Sequence, residues 1–245
     1  MTQSRNRFRQ MVRGSYSTAA SVEKYSTRAD QGLRIWEMAI LENHFPETGD
    51  VLVVGCGGGR ECFGLEGLGY RVTGVDVSEH QIDAARAISA RRNSSVTFSC
   101  VDGESLPFEN DSFDAVTLWS QVLGNVPGHE NRERLLREAR RVVRSCGVVS
   151  LSVHERERTL ALVTDAMRPD CNPDDKLEDG DLLLLADDGV SPQFWHYFAI
   201  QELRELCTGT GFPLVELWYT SNLGEAWDNV LIAVCVVACK GWADH

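Results

Sequence analysis

The sequence has no apolar run near the roughly 20 residues that span a bilayer, so no membrane-crossing helix is expected. Its basic start, "MTQSRNRFRQMVRG", has no apolar core behind it, which excludes a secretory signal and predicts a cytoplasmic location. It has no C-x-x-C pair. The eight cysteines, Cys56, Cys62, Cys100, Cys146, Cys171, Cys207, Cys235 and Cys239, form no cluster at zinc-site spacing, so no metal is expected. Cys235 and Cys239 lie in an apolar run, where cysteine acts as a small hydrophobe. All the thiols are therefore expected to be reduced and mostly structural. Positive charge is also short: 24 Lys and Arg face 36 Asp and Glu, a net charge of −12. That balance weighs against wide contact with nucleic acid, which needs a basic surface to displace counterions. There are no internal repeats and no low-complexity tract.

What remains is an ordinary globular composition, 43% hydrophobic and 24% charged over 245 residues. That length suits one large α/β domain, or one domain with a small appendage. Charge is uneven along it. Residues 1–13 carry Arg5, Arg7, Arg9 and Arg13 and no acid, and are read as a solvated terminal arm. Residues 168–190 carry eight acids against Arg168 and Lys176.

Between about residues 50 and 153, apolar strand-like runs alternate with amphipathic segments. "VLVV", "YRVTGVDV", "VTFSCVD", "FDAVTLW" and "GVVSLSV" read as strands, and Ser78 as the N-cap of the helix "EHQIDAARAISARR". That alternation is the pattern of a parallel sheet covered on both faces. Upstream, Leu33, Ile35, Trp36, Ala39 and Ile40 make a helical face. Downstream, residues 168–198 break the rhythm as an acidic insertion or lid with an apolar patch at Leu182–Leu185. A helix, "AIQELRELCTGTGF", and two late strands follow. The expected division is an N-terminal arm and cap at 1–45 and a ligand-binding domain at 46–245.

"VLVVGCGGGR", residues 51–60, runs a buried strand into a glycine turn, the usual seat of a nucleotide-like ligand. The loop holds no lysine, so it is not a Walker phosphate loop. It reads G-x-G-x-G, with Gly59 one place too early for the dinucleotide fingerprint G-x-G-x-x-G. Asp76, at the end of the second strand, suits ribose hydroxyls of either NAD or S-adenosylmethionine. Further on, "CVDGESLPFENDSFDAV" sets Asp102 at the tip of the third strand, then Leu106-Pro107-Phe108, then Phe113-Asp114-Ala115-Val116.

In combination, these pieces resemble the class I S-adenosylmethionine (SAM)-dependent methyltransferases, especially the small UbiE-like group, over about residues 16–153. The resemblance implies a Rossmann-like doubly wound α/β fold. Its seven-stranded sheet would be mostly parallel, with an antiparallel C-terminal strand and helices on both faces. It implies SAM as cofactor and S-adenosylhomocysteine as product. Gly55, Gly57 and Gly59 would let the backbone approach the amino-acid end of SAM. Asp76 would hold the ribose, Val77 would pack on adenine, Asp102 would accept from the adenine amine, and Gly103 would lie beside the ring. Ser120 would sit near the methionine part. Tyr16 and Tyr25 frame "YSTAASVEKY", which looks like the N-terminal cap of such enzymes. Two positions depart from the pattern. Many relatives have an acid two residues before the first loop glycine, where this chain has Val53, and the usual P-G-G is Ser145-Cys146-Gly147.

Methyl transfer from a sulfonium is an in-line displacement, so alignment and water exclusion carry most of it. A base is needed only for a protonated acceptor. The candidates are His196 and Tyr197 in "QFWHYF", walled by aromatic residues, and His154 after the fifth strand. His129, Glu155 and Asn125 are further polar groups at the expected acceptor side. The leading expectation is methyl transfer to a small-molecule substrate. "FWHYF" also resembles the aromatic-histidine segment of wobble-uridine tRNA methyltransferases, and the basic arm would fit such an acceptor, which makes tRNA the alternative, against the acidic insertion and the net charge. A non-catalytic partner protein with a SAM fold is the third reading, motivated by Val53. The acceptor atom and the oligomeric state have no readable signature.

Overall fold

The computed structural model describes residues 2–164, 167, 177–186 and 189–238. The architecture follows from one strand. β1 (Asp50–Val54) is apolar and buried after its first residue. Alternate side chains of a strand point to opposite faces. Leu52 and Val54 enter a core with Leu135, Leu136 and Ala139 of α6 (His129–Val142) and Leu203 and Leu206 of α8 (Ile200–Gly209). Val51 and Val53 enter a second core with Trp36 and Ile40 of α3 (Ile35–His44), Phe63 and Leu65 of α4 (Arg60–Gly67), and Ile82 of α5 (Glu79–Arg92). Each fully buried Val or Leu contributes about 1.5–3 kcal/mol. A strand apolar on both faces therefore needs helices on both sides of its sheet.

The other strands are β2 (Arg71–Asp76), β3 (Thr97–Cys100), β4 (Phe113–Leu118), β5 (Val143–His154), β8 (Leu214–Tyr219) and β9 (Val230–Val236). They form a seven-stranded sheet in the order β3-β2-β1-β4-β5-β9-β8. β1 to β5 pair in parallel. The C-terminal strand β9 is antiparallel to both neighbours and lies between β5 and β8, so β8 forms the sheet edge. The expected Rossmann-like α/β fold is present. Its order reverses between β1 and β4, and in such sheets a ligand crevice opens at the carboxyl ends beside that point.

Local signals match. Ser78 caps α5, its hydroxyl accepting from the Gln81 N–H. The stretch 17–44 is not one helix but α2 (Ala19–Thr27), a 3-10 turn and α3.

Two expectations are corrected. The basic arm is a helix, α1 (Thr2–Tyr16), and not a solvated terminus. Phe8, Met11 and Val12 fall on one face of it and pack on a hairpin of β6 (Asp181–Leu185) and β7 (Pro192–His196). The Phe8 and Phe194 rings stack at 5.2 Å. The hairpin lies within the acidic insertion expected at 168–198; residues 168–176 and 187–188 lie outside the described ones. Second, Cys146 is disulfide-bonded. Cys56, Cys62, Cys100, Cys207 and Cys235 are free thiols, and Cys171 and Cys239 lie outside the described residues. Among the described residues, no helix is long and apolar enough to cross a membrane.

Candidate functional site

At the carboxyl ends of β1, β2, β3 and β4 lies a cavity of about 390 Å³. The β1–α4 loop forms its floor. The Gly55 and Cys56 N–H groups both donate to the Val75 carbonyl, at 2.7 and 3.0 Å, which folds the loop tightly over β2. Gly55 sits at φ +72°, and a Cβ there would lie 2.3 Å from a Val122 methyl. Gly57 faces the Tyr25 ring across the cavity. Gly59 does not line the cavity: a Cβ on it would strike Phe63 and Phe98 in the core beneath. Its service is to let α4 start close against the sheet.

β2 ends on Asp76, which is 9% exposed and opens into the cavity. Its Oδ2 accepts from the Gly57 N–H at 2.9 Å, and its Oδ1 from the Ser78 N–H at 2.9 Å. Burial pushes the carboxyl above its ordinary range, opposed by those N–H groups. A carboxylate has about four lone-pair sites, so Asp76 keeps acceptor capacity for two hydroxyls of a ligand. Asp102, past β3, stands exposed at the rim. Its Oδ1 accepts from the Glu104 and Ser105 N–H groups, which hold its carboxyl below the usual range. Its Oδ2 carries no hydrogen bond among the described residues. Val77 and Gly103 lie between the two acids, and a Cβ on Gly103 would lie 3.0 Å from Val77.

At the other end, Ser120 and Gln121 follow β4 with φ of +54° and +62°. Two successive non-glycine residues in the left-handed region store about 1–3 kcal/mol each. The turn aims the Ser120 hydroxyl at Glu61, to which it donates at 2.6 Å. Glu61 lines the cavity and was not anticipated from the sequence. Its signal is an acid directly after the loop, in the first turn of a helix.

The roof is α1 with α2. The Tyr16 and Tyr25 rings lie 5.8 Å apart. The Tyr16 hydroxyl accepts from Gln193 of the hairpin at 3.0 Å and donates to Asn125 at 3.4 Å. Burial, with Tyr25 and Asp76 nearby, raises the Tyr16 pKa well above its ordinary value. Arg9 latches α1 to the rim, donating to Glu104 and, at 2.8 Å, to Asn131.

The structure thus gathers Tyr16, Tyr25, Gly55, Gly57, Asp76, Val77, Asp102, Gly103 and Ser120 around one cavity. It does not bring His196, His154 or Tyr197 to it. His196 is 1% exposed and clamped between carboxylates, Nδ1 to Asp181 at 2.6 Å and Nε2 to Glu202 at 2.7 Å. His154 packs against the Trp195 and Tyr197 rings, and burial lowers its pKa to about 4. Tyr197 is buried, which raises its pKa to about 12. The aromatic walls that marked His196 in the sequence belong to packing of the hairpin on the sheet. Of the further polar candidates, Asn125 lines the cavity, while His129 and Glu155 do not.

Residues 52–151 match the methyltransferase domain model. The ubiquinone biosynthesis O-methyltransferase of Coxiella burnetii (strain Dugway 5J108-111) is 32% identical over 114 residues, 46% of this chain and 47% of that protein. Methyltransferase GfsG of Streptomyces halstedii is 32% identical over 127 residues, 51% of this chain and 44% of that one. The matched segment thus spans less than half the length of these curated relatives. A SAM-dependent methyltransferase structure from Methanosarcina mazei superposes with a TM-score of 0.69 at 22% identity, covering 85% of this chain and 99% of that one. Residues 52–151 thus match the methyltransferase domain, and the chain shares the fold of a SAM-dependent methyltransferase structure.

Proposed function

We propose that this protein transfers the methyl group of SAM to a small-molecule acceptor. The observation that carries this is the roofed cavity itself. It has the carboxylates of Asp76 and Asp102 at one end and the Ser120–Glu61 pair at the other. Its size, about 390 Å³, falls in the range of small-molecule sites. Asp76 would accept from the two ribose hydroxyls, Asp102 from the adenine amine, and Val77 would pack on the ring. Tyr16 and Tyr25 would wall the cofactor's amino-acid end and exclude water. The cofactor supplies an electrophilic methyl group on a sulfonium. The chain's own residues fix the line of approach, with Asn125 at the acceptor side of the Tyr16 hydroxyl. Among the described residues the cavity lining includes no histidine, which favours acceptors that need no imidazole base.

The small-molecule reading is also supported by the relatives, one named for ubiquinone biosynthesis. One of the two motives for the tRNA alternative is weakened. Arg9 and Arg13 of the basic helix line the cavity, and Arg9 is paired with Glu104. The helix therefore offers less free positive charge than the sequence suggested, on a chain of net charge −12. Calorimetry with SAM and S-adenosylhomocysteine, followed by a labelled-methyl assay on fractionated small metabolites and on total tRNA, tests the reading. Label in a metabolite fraction supports it. Label in tRNA alone, or cofactor binding with no transfer to any fraction, overturns it.

A further inference from the structure

Glu61 has a chemical role that neither its packing nor its helix explains. It is 4% exposed, yet it lines the cavity. Its Oε1 accepts from the Ser120 hydroxyl at 2.6 Å and from Arg60 Nη2 at 2.8 Å. Its Oε2 carries no hydrogen bond among the described residues. Arg60 serves it only in part, because the same guanidinium is also held by Glu37, at 2.7 and 2.5 Å. Glu37 is fully buried. Two carboxylates therefore share one guanidinium, and one negative charge is left at the cavity wall. Burial pushes the Glu61 carboxyl upward, with the Glu37 charge adding to the rise. Leaving a charge unpaired in such a place is costly unless a cation meets it.

Two other guanidinium groups lining the cavity are directed at aromatic rings. Arg28 lies over the Tyr25 ring and Arg34 over the Trp227 ring, each at 5.8 Å. Nor does β1 offer an acid at its cavity end: Val51 to Val54 are all apolar, and Val53 is fully buried. We propose that Glu61 is the counter-ion for a cationic amino group of the bound ligand, which, resting on the SAM reading above, is the α-ammonium of the cofactor's methionine part. Ser120, through its bond to Oε1, acts as the positioning residue that turns Oε2 to the cavity. The chain would thus select a ligand that keeps its amino-acid tail over a bare adenosine thioether.

The test measures calorimetric binding of three ligands to the wild type and to Glu61→Gln near neutral pH. S-adenosylhomocysteine carries the ammonium, its desamino analogue S-adenosyl-4-thiobutyrate lacks it, and 5′-methylthioadenosine lacks the whole tail. Glu61→Gln should weaken S-adenosylhomocysteine about tenfold or more, the scale of one charge-assisted bond. It should leave the other two within about twofold of wild type. The wild type alone should lose about tenfold on going to the desamino analogue. An equal loss for all three ligands, or none for any, overturns the Glu61 assignment. A wild type that binds none of them overturns the SAM reading instead. If Glu61→Gln lacks a cooperative melt, Glu61→Asp replaces it. That variant withdraws the carboxylate by one methylene and should show a smaller loss, again confined to S-adenosylhomocysteine; a loss spread over all three overturns the assignment.

Discussion

Replacing Asp76 by alanine removes a carboxylate that has two sets of partners. In the protein alone it accepts from the N–H groups of Gly57 and Ser78, both at 2.9 Å. Orphaning a buried donor costs about 1–3 kcal/mol. Against this, the variant no longer buries a charge whose burial alone lifts its pKa. The two effects oppose each other, so stability should fall by no more than about 1–3 kcal/mol and the variant should still melt cooperatively. Ligand affinity has no such offset. With two ribose hydroxyls losing their acceptor, binding of SAM should weaken by about 1–3 kcal/mol, roughly five- to 150-fold. Asp76→Asn separates the two roles. Its single carbonyl can serve Gly57 or Ser78 but not both, and its NH2 faces whichever N–H remains. It should lose about as much affinity as alanine does while keeping the side chain's shape. The assay is calorimetry with SAM, S-adenosylhomocysteine and adenosine, alongside thermal melts. All three ligands should weaken together, since all carry the ribose. A folded Asp76→Ala protein that binds SAM within about twofold of wild type would refute the placement of the ribose at the tip of β2.

Three further outcomes are expected. Gly55→Ala puts a Cβ 2.3 Å from the stiff Val122 side chain at a left-handed φ, so cofactor titration should show binding lost before the fold is. Phe194→Ala empties a fully buried ring site between the hairpin and α1, at about 3–5 kcal/mol, and trypsin should then cut faster at Arg7 and Arg9; unchanged cutting would detach α1 from the hairpin. His154 has its pKa lowered by burial from 6.5 to about 4, so the stability it provides is complete above 6.5 and is lost as pH falls toward 4. Its largest contribution is about 3 kcal/mol, and His154→Phe should flatten the denaturant-derived stability curve across that window, whereas an unaltered slope would count against it.

The sequence by itself determined the sheet and half of the candidate site. β1 to β5 were legible because strand periodicity and burial on both faces are local properties of composition. The acids Asp76 and Asp102 were legible because the ends of successive parallel strands converge wherever the strands themselves are correct. Ser78 was readable as a cap for the same local reason. The tertiary structure decided everything that depends on a distant partner. Phe8, Met11 and Val12 looked like part of a solvated arm until Leu183 and Phe194, some 180 residues on, gave their face something to cover. His196 looked like a catalytic residue until Asp181 and Glu202 closed on both its nitrogens. Glu61 looked like an ordinary first-turn acid until the turn after β4 brought the Ser120 hydroxyl to it. Charge and hydrogen bonding act through space, and a one-dimensional pattern records only which groups are available, not which of them meet.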